Sequence, residues 1–170
     1  MKKKDILNAF EKLNEELSRQ GICGEVGVVG GAAMVLAFNA RNATKDVDAI
    51  FEPSSKIRKV IKAIADDLGL PDDWMNDAVK AFLPGEPRKK REIFKRDHLR
   101  VWVPEPEYLL AMKGISARFD THDADDLKLL IKILKLNSSV QVLNILQKYY
   151  PRNKIPAKTQ FFIEEVFGEE

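Results

Sequence analysis

One cysteine, Cys23, and two scattered histidines, His98 and His122, stand in a chain of 170 residues. A single thiol excludes a disulfide framework and a cysteine-based zinc site, and it is compatible with a reducing compartment. Two histidines so placed form no metal cluster, and both read as surface residues. Long apolar runs are missing too. The longest uncharged stretch, Val26 to Ala40, falls short of the roughly 20 residues a spanning helix needs, and it carries Gly27, Gly30, Gly31 and Asn39. Met1-Lys2-Lys3-Lys4 resembles the start of a signal peptide, but Asp5, Glu11, Lys12, Glu15 and Glu16 leave no apolar segment after it. A cytoplasmic protein without a membrane partner is expected. An excess of one charge is also absent: 28 Lys and Arg against 26 Asp and Glu leave +2. That balance argues against a purely electrostatic nucleic-acid coat and is silent on local patches. There is no internal repeat and no low-complexity block.

What is present is an alternation of short elements. Ile6, Phe10, Leu13 and Leu17 give one apolar helix face over Lys3 to Arg19, with Gly21 as its stop. Val26 to Val29 reads as a buried strand, broken by Gly30-Gly31, and Ala32 to Phe38 suits a helix. Asp46 to Phe51 alternates acid and apolar residues in strand fashion. Ser54 is placed to cap a helix carrying Ile57, Val60, Ile61, Ile64 and Leu68. A short helix is expected around Trp74, Met75 and Val79, then a loop over Pro84 to Arg91. Strands follow at Ile93-Phe94 and Leu99 to Val103. After Pro104 the periodicity is helical: Pro106 onward, Leu127 to Leu134, a helix capped by Ser138 or Ser139, and a last one between Pro156 and Phe167. This predicts an α/β (α+β) fold, a small mixed sheet flanked by helices over residues 1–104, with a helical region over 105–170 packed on it. Trp74 and Trp102 read as core.

Chemistry concentrates in Val28-Val29-Gly30-Gly31 followed by Arg41, Thr44, Lys45, Asp46 and Asp48. In a strand, residues two apart point to one side, so Asp46 and Asp48 are expected to project together, with Val47 and Ala49 packing the opposite face. Two such carboxylates repel unless a cation sits between them. Mg²⁺ is bound in this way, by one or two carboxylates plus substrate phosphates. Glycines between a strand and a helix let a phosphate approach the backbone and the free N–H groups of the helix start. Arg41, Thr44 and Lys45 add candidate phosphate contacts. The pattern is neither a Walker A loop nor a dinucleotide fingerprint.

The stretch Val28 to Phe51 resembles the core of the polymerase-beta-like nucleotidyltransferases, in which a Gly-Gly or Gly-Ser turn is followed by a helix and an Asp-x-Asp strand that holds magnesium. Pro106 to Lys113, Ala117-Arg118 and Asp123 to Leu127 are similar to a second motif block of the AbiE-type branch, which includes nucleotidyltransferase toxins of toxin–antitoxin systems. His122 stands where that block carries an arginine. The resemblance spans Gly24 to Leu134. It implies transfer of a nucleoside monophosphate from an NTP to an acceptor, with one or two Mg²⁺ held by Asp46 and Asp48. It also implies a third carboxylate, either Asp97 or Asp123, with Asp123 the better match to the block. Lys113 is implied as a contact to phosphate or acceptor. Read without the resemblance, Lys113 is a solvated helix residue, and capping explains at least one of Asp123, Asp125 and Asp126.

One run departs from neutrality. Arg88 to Arg100 holds seven Lys and Arg against Glu92 and Asp97, a local +5. By default it is a solvated loop; beside a transfer site it suits an RNA acceptor such as a tRNA end. An antitoxin protein is the further partner the resemblance implies. The contrasting possibility is a non-catalytic nucleotidyltransferase-like domain that binds nucleic acid or a partner protein.

Overall fold

A computed structural model describes residues 1–119 and 122–168. The chain forms two compact units: Met1–Ala81 with Lys89–Pro104, and Phe82–Arg88 with the residues from Glu105 onward.

The first unit is a mixed five-stranded sheet with helices. Its elements are α1 (Lys3–Arg19), β1 (Gly24–Val28), α2 (Gly30–Phe38), β2 (Val47–Glu52), α3 (Ser54–Leu68), β3 (Met75–Asn76), β4 (Lys90–Lys95) and β5 (Leu99–Pro104). The strand order is β3-β2-β1-β5-β4. Strand β1 runs antiparallel to β2 and parallel to β5, and β4 closes the edge antiparallel to β5.

Register sorts the side chains onto two faces. Val28 pairs with Ala49, and Val26 pairs with both Phe51 and Val101, so these apolar residues share a face. Helices α1 and α3 cover it, and Leu17 and Ile57 press against Gly24, where a Cβ would come within 3.0 Å of each. Phe94 of β4 meets Phe10 of α1 on this side, ring centroids 5.7 Å apart. The other face carries Gly27, Asp48, Ile50 and Trp102. Trp102 lies across Gly27, where a Cβ would fall 2.3 Å from the indole.

The sequence expectations hold for most elements, with local differences. Ser54 is the first residue of α3 and does not cap it; its N–H instead donates to Glu52 Oε2 at 3.2 Å. No α-helix forms around Trp74. The chain there makes the two-residue strand β3 and a 3₁₀ turn over Ala78–Phe82, because Trp74 turns inward and donates from Nε1 to Ile61 O. The apolar residues 74, 75 and 79 fit helical spacing, but the sheet edge takes Met75 as the partner of Val47.

The second unit contains α4 (Pro106–Ser116), α5 (Asp123–Ile133), α6 (Ser139–Tyr149) and α7 (Ala157–Val166). Helix α4 is its core, buried from Tyr108 through Gly114. Gly114 lets α6 approach closely, since a Cβ there would lie 2.7 Å from Leu146 Cδ2. The buried Thr159 hydroxyl donates to Gly114 O. The segment 82–88 joins this unit through tyrosine hydroxyls: Tyr108 donates to Gly85 O at 2.7 Å and Tyr150 to Phe82 O at 2.6 Å. Glu105 Oε1 accepts from both Tyr149 and the Arg88 N–H. Burial first, and the charges of Glu86 and Glu105 second, push the Tyr108 hydroxyl up to about 12, so it remains a donor at neutral pH.

Gly27→Ala is expected to lower stability by about 1–3 kcal/mol, because the buried Trp102 ring leaves no volume for a methyl group. Urea unfolding followed by circular dichroism measures this; an unchanged midpoint contradicts the packing described.

Candidate active site

Two segments meet at one end of the first unit's sheet. Strand β1 ends at Val28 and α2 starts at Gly30, with Val29 between them in extended conformation. Val29 N–H donates to Asp48 O at 2.9 Å, which extends the β1–β2 ladder to the turn. Gly30 adopts φ +61°, a conformation that L side chains rarely take. A Cβ at this position would lie 2.8 Å from Asp48 Oδ2. At Gly31 a Cβ would lie 2.8 Å from Thr44 Oγ1 and 2.9 Å from Arg41 Nη1. Gly30 is required by its backbone conformation, and a methyl group at either position would push aside the polar ends of neighbouring side chains. Gly30, Gly31, Arg41, Thr44 and Asp48, widely spaced along the chain, touch at the start of α2.

The loop after α2 is shaped for this meeting. Asn39 ends the helix in the left-handed conformation, its N–H bonded to Met34 O. Thr44 N–H donates to Met1 O at 2.9 Å and Lys2 bridges to Ala43, so the start of α1 holds the loop. Thr44 Oγ1 then donates to Asp46 O at 3.1 Å.

The two carboxylates differ. Strand alternation puts Asp48 on the open face with Ile50, half-buried against Gly30. Asp46 stands one residue before β2, so alternation does not set its direction. It is half-buried, and its carboxylate has no hydrogen bond or ion pair among the described residues. Among the described residues no side chain caps the first N–H groups of α2. Lys45 is exposed. Among the described residues no three His, Cys, Asp or Glu side chains converge as a metal cluster. The donor set at the turn is thus the Asp48 carboxylate beside the first N–H groups of α2, with Asp46 two residues earlier in the chain. That suits Mg²⁺ sharing its shell with phosphate oxygens, and does not suit a closed zinc or calcium cage.

Asp97 is not part of this end. It lies in the β4–β5 turn, beyond the Gly24–Leu99 pair, whereas the glycine turn follows the Val28–Ala49 pair. The length of β1, about 13 Å at 3.3 Å per residue, separates them. Of the two candidate third carboxylates, Asp97 is therefore set aside.

The basic run is likewise divided. Lys90 pairs in register with Pro104 and Arg91 with Val103, at the glycine end, while Lys95 and Arg100 lie toward the opposite end. Several cations are already matched: Arg96 with Glu11, Arg100 with Glu92 at 3.0 Å, and Lys90 with Glu25 at 3.8 Å and over the Trp102 ring. The run is a strand edge with ion pairs, and not one continuous strip. His98 is half-buried, with Nδ1 2.9 Å from Ile22 O, where a surface position was expected.

Lys113 and Asp123 lie together in the second unit. Lys113 is only 8% exposed, contrary to a solvated helix residue. Its Nζ is 2.5 Å from Asp123 Oδ1 and 2.8 Å from Asp126 Oδ2. Asp123 Oδ2 also accepts from the Arg118 N–H, which ties the chain before α5 to its first turn. Asp126, 2% exposed, lies in the motif block Asp123 to Leu127 but carries no role of its own in the sequence, since capping suffices for at least one of the three acids. Its signal was positional: it precedes Leu127 and stands four residues before Leu130, on the apolar face of the helix. Removing one partner of a buried pair strands the other charge. Asp126→Ala is expected to cost about 3 kcal/mol, and Lys113→Met/Asp126→Leu less than half of that, as measured by urea unfolding.

A family model described as nucleotidyltransferases of unknown function, DUF6036, matches residues 4–160. No curated protein and no solved structure matches. The family match reaches from α1 into α7 and takes in the glycine turn, Asp46, Asp48, Lys113 and Asp126. The chain therefore belongs to the DUF6036 family of nucleotidyltransferases.

Proposed function

We propose that this protein is a Mg²⁺-dependent enzyme that transfers a nucleoside monophosphate from an NTP to an acceptor. The observation that carries this assignment is the contact of Asp48 Oδ2 with Gly30, where bare backbone, free helix N–H groups and a carboxylate meet at one point. The N–H groups at the start of α2 bind the triphosphate, and glycine at both positions lets its oxygens reach the backbone. The Arg41 guanidinium, against Gly31, adds donors to the same phosphates, and the Thr44 hydroxyl does so on turning away from Asp46 O. Asp46 and Asp48 hold the metal, and a bound Mg²⁺ supplies charge neutralisation of the triphosphate and of the departing pyrophosphate. The acceptor hydroxyl oxygen bonds to the α-phosphorus as the α–β bridging bond breaks, its proton passing to water and pyrophosphate departing. Lys113 and Asp123 enter through the resemblance to the AbiE-type branch, as does the role of toxin with an antitoxin partner.

An RNA acceptor is the choice that the basic residues favour. Lys89, Lys90 and Arg91 form the part of the basic run at the glycine end of the sheet, and phosphate contacts of this kind do not depend on sequence.

The test is incubation with each labelled NTP, Mg²⁺ and total RNA. Label transfer is expected with at least one NTP. Asp46→Ala and Asp48→Ala are expected to reduce it by about 10²-fold or more, the several kcal/mol that metal stabilisation provides, with unchanged circular dichroism. Asp123→Asn in the same assay tests the second unit's part. Absence of both transfer and Mg²⁺-dependent NTP binding overturns the assignment. Lys89→Glu/Arg91→Glu is expected to weaken RNA binding and flatten its salt dependence, while Lys95→Glu leaves both unchanged. Equal effects of the two changes contradict the division of the basic run.

A further inference from the structure

Met1, Lys2 and Lys3 each hold one residue of the loop between α2 and β2. Met1 donates its N–H to Thr44 O and accepts from the Thr44 N–H at 2.9 Å. Lys2 faces Ala43 in an antiparallel bridge. Lys3 Nζ donates to Asn39 Oδ1 at 3.0 Å. An ammonium only donates, so the amide oxygen of Asn39 is the atom it meets.

The holding side is anchored in the core. Lys2 N–H donates to Asp5 Oδ2 at 2.7 Å, and α1 buries Ile6, Ala9, Phe10, Leu13 and Leu17. The held side is a loop outside any helix or named strand. Asn39 and Ala43 are pinned, and Arg41 stands midway between them, two residues from each. Its guanidinium lies at Gly31, where a Cβ would come within 2.9 Å of Nη1. Thr44, beside the second pin, places its Oγ1 at the same point.

The Lys3 pin is not needed to end α2. Asn39 N–H and Ala40 N–H both bond to Met34 O, which closes the helix without Lys3. The φ of Asn39, +50°, is one that glycine adopts readily. The Lys3–Asn39 bond is also exposed, so it replaces bonds to water with a small net gain in stability. What it fixes is the direction in which the chain leaves α2, and with it the place of Arg41.

We propose that Lys3 and Asn39 are positioning residues for the nucleotide, a role that rests on the nucleotide assignment above. With the Met1–Thr44 pairing, their bond holds Arg41 and Thr44 at Gly31 in the arrangement that receives the triphosphate. A loop pinned on both sides of Arg41 has already lost freedom that binding would otherwise remove, so the pins raise affinity without touching the ligand.

The test is calorimetric titration of the full chain with a non-hydrolysable NTP in Mg²⁺, for the native protein, Lys3→Met, Lys3→Arg and Asn39→Gly. Lys3→Met and Asn39→Gly are expected to weaken binding about three- to tenfold, the range of one hydrogen bond, with unchanged circular dichroism. Lys3→Arg keeps a donor and is expected to bind within about twofold of the native chain. The effect passes through Arg41. In an Arg41→Ala background, Asn39→Gly is therefore expected to change affinity by less than about twofold, a dependence that a merely structural contact does not produce. Native affinity in both Lys3→Met and Asn39→Gly, or an undiminished Asn39→Gly effect in the Arg41→Ala background, overturns the proposal and leaves the nucleotide assignment standing. A native chain that binds no nucleotide overturns both.

Discussion

Two glycines packed against the polar ends of neighbouring side chains organise the first unit. At Gly30 the obstacle is Asp48, and at Gly31 it is Thr44 with Arg41. These contacts exist only if β1 stops at Val28, α2 begins at once, and β2 returns antiparallel with Ala49 opposite Val28. The positive φ of Gly30 makes the reversal possible, and the Val29–Asp48 hydrogen bond fixes its register. A one-residue slip of β2 would turn Asp48 into the helix-covered face and leave Val47 and Ala49 on the open one. Burial of Val47, Ala49 and Phe51 thus sets the aim of Asp48, and the apolar core specifies the polar site.

The second unit reverses this relation between core and charge. Its central helix buries an ammonium, Lys113, against two carboxylates on α5. Desolvating three charges is costly, and the close geometry offsets much of that cost. The result is a link between α4 and α5 that tolerates little displacement. The tyrosines give the segment 82–88 a similarly directional anchorage, since each hydroxyl meets a specific backbone or carboxylate partner. Gly114 and Thr159 complete the unit with close approach and a buried hydrogen bond.

Much of this was legible in the sequence, because one-faced apolar helices and alternating strands report their own burial. The helices α1 and α3 and the strand read over Asp46 to Phe51, which forms over Val47–Glu52, follow from periodicity alone. Gly30-Gly31 and Asp48 were recognisable as a pair because chemistry and punctuation coincide there. What remained hidden depends on contacts between distant segments. Helical spacing around Trp74 gave no warning that Met75 would pair with β2. Charge counting made Arg88 to Arg100 one strip, although a hairpin sends its halves to opposite ends of the sheet and ion pairs cancel part of it. The same hairpin removes Asp97 from the glycine turn. Asp126 was obscured because an acid in the first turn of a helix has a sufficient local explanation, and only packing shows that it faces inward.

The glycine turn is the proposed site of a triphosphate and its metal. Calorimetric titration with a non-hydrolysable NTP, with and without Mg²⁺, tests that most directly when the native chain is compared with Gly31→Ala. The native chain is predicted to bind in Mg²⁺ and to lose binding in excess chelator. Gly31→Ala is predicted to keep its fold but lose the nucleotide, because the methyl group displaces Thr44 and Arg41 from the backbone. Undiminished nucleotide binding by a folded Gly31→Ala protein, or binding indifferent to Mg²⁺, would contradict it.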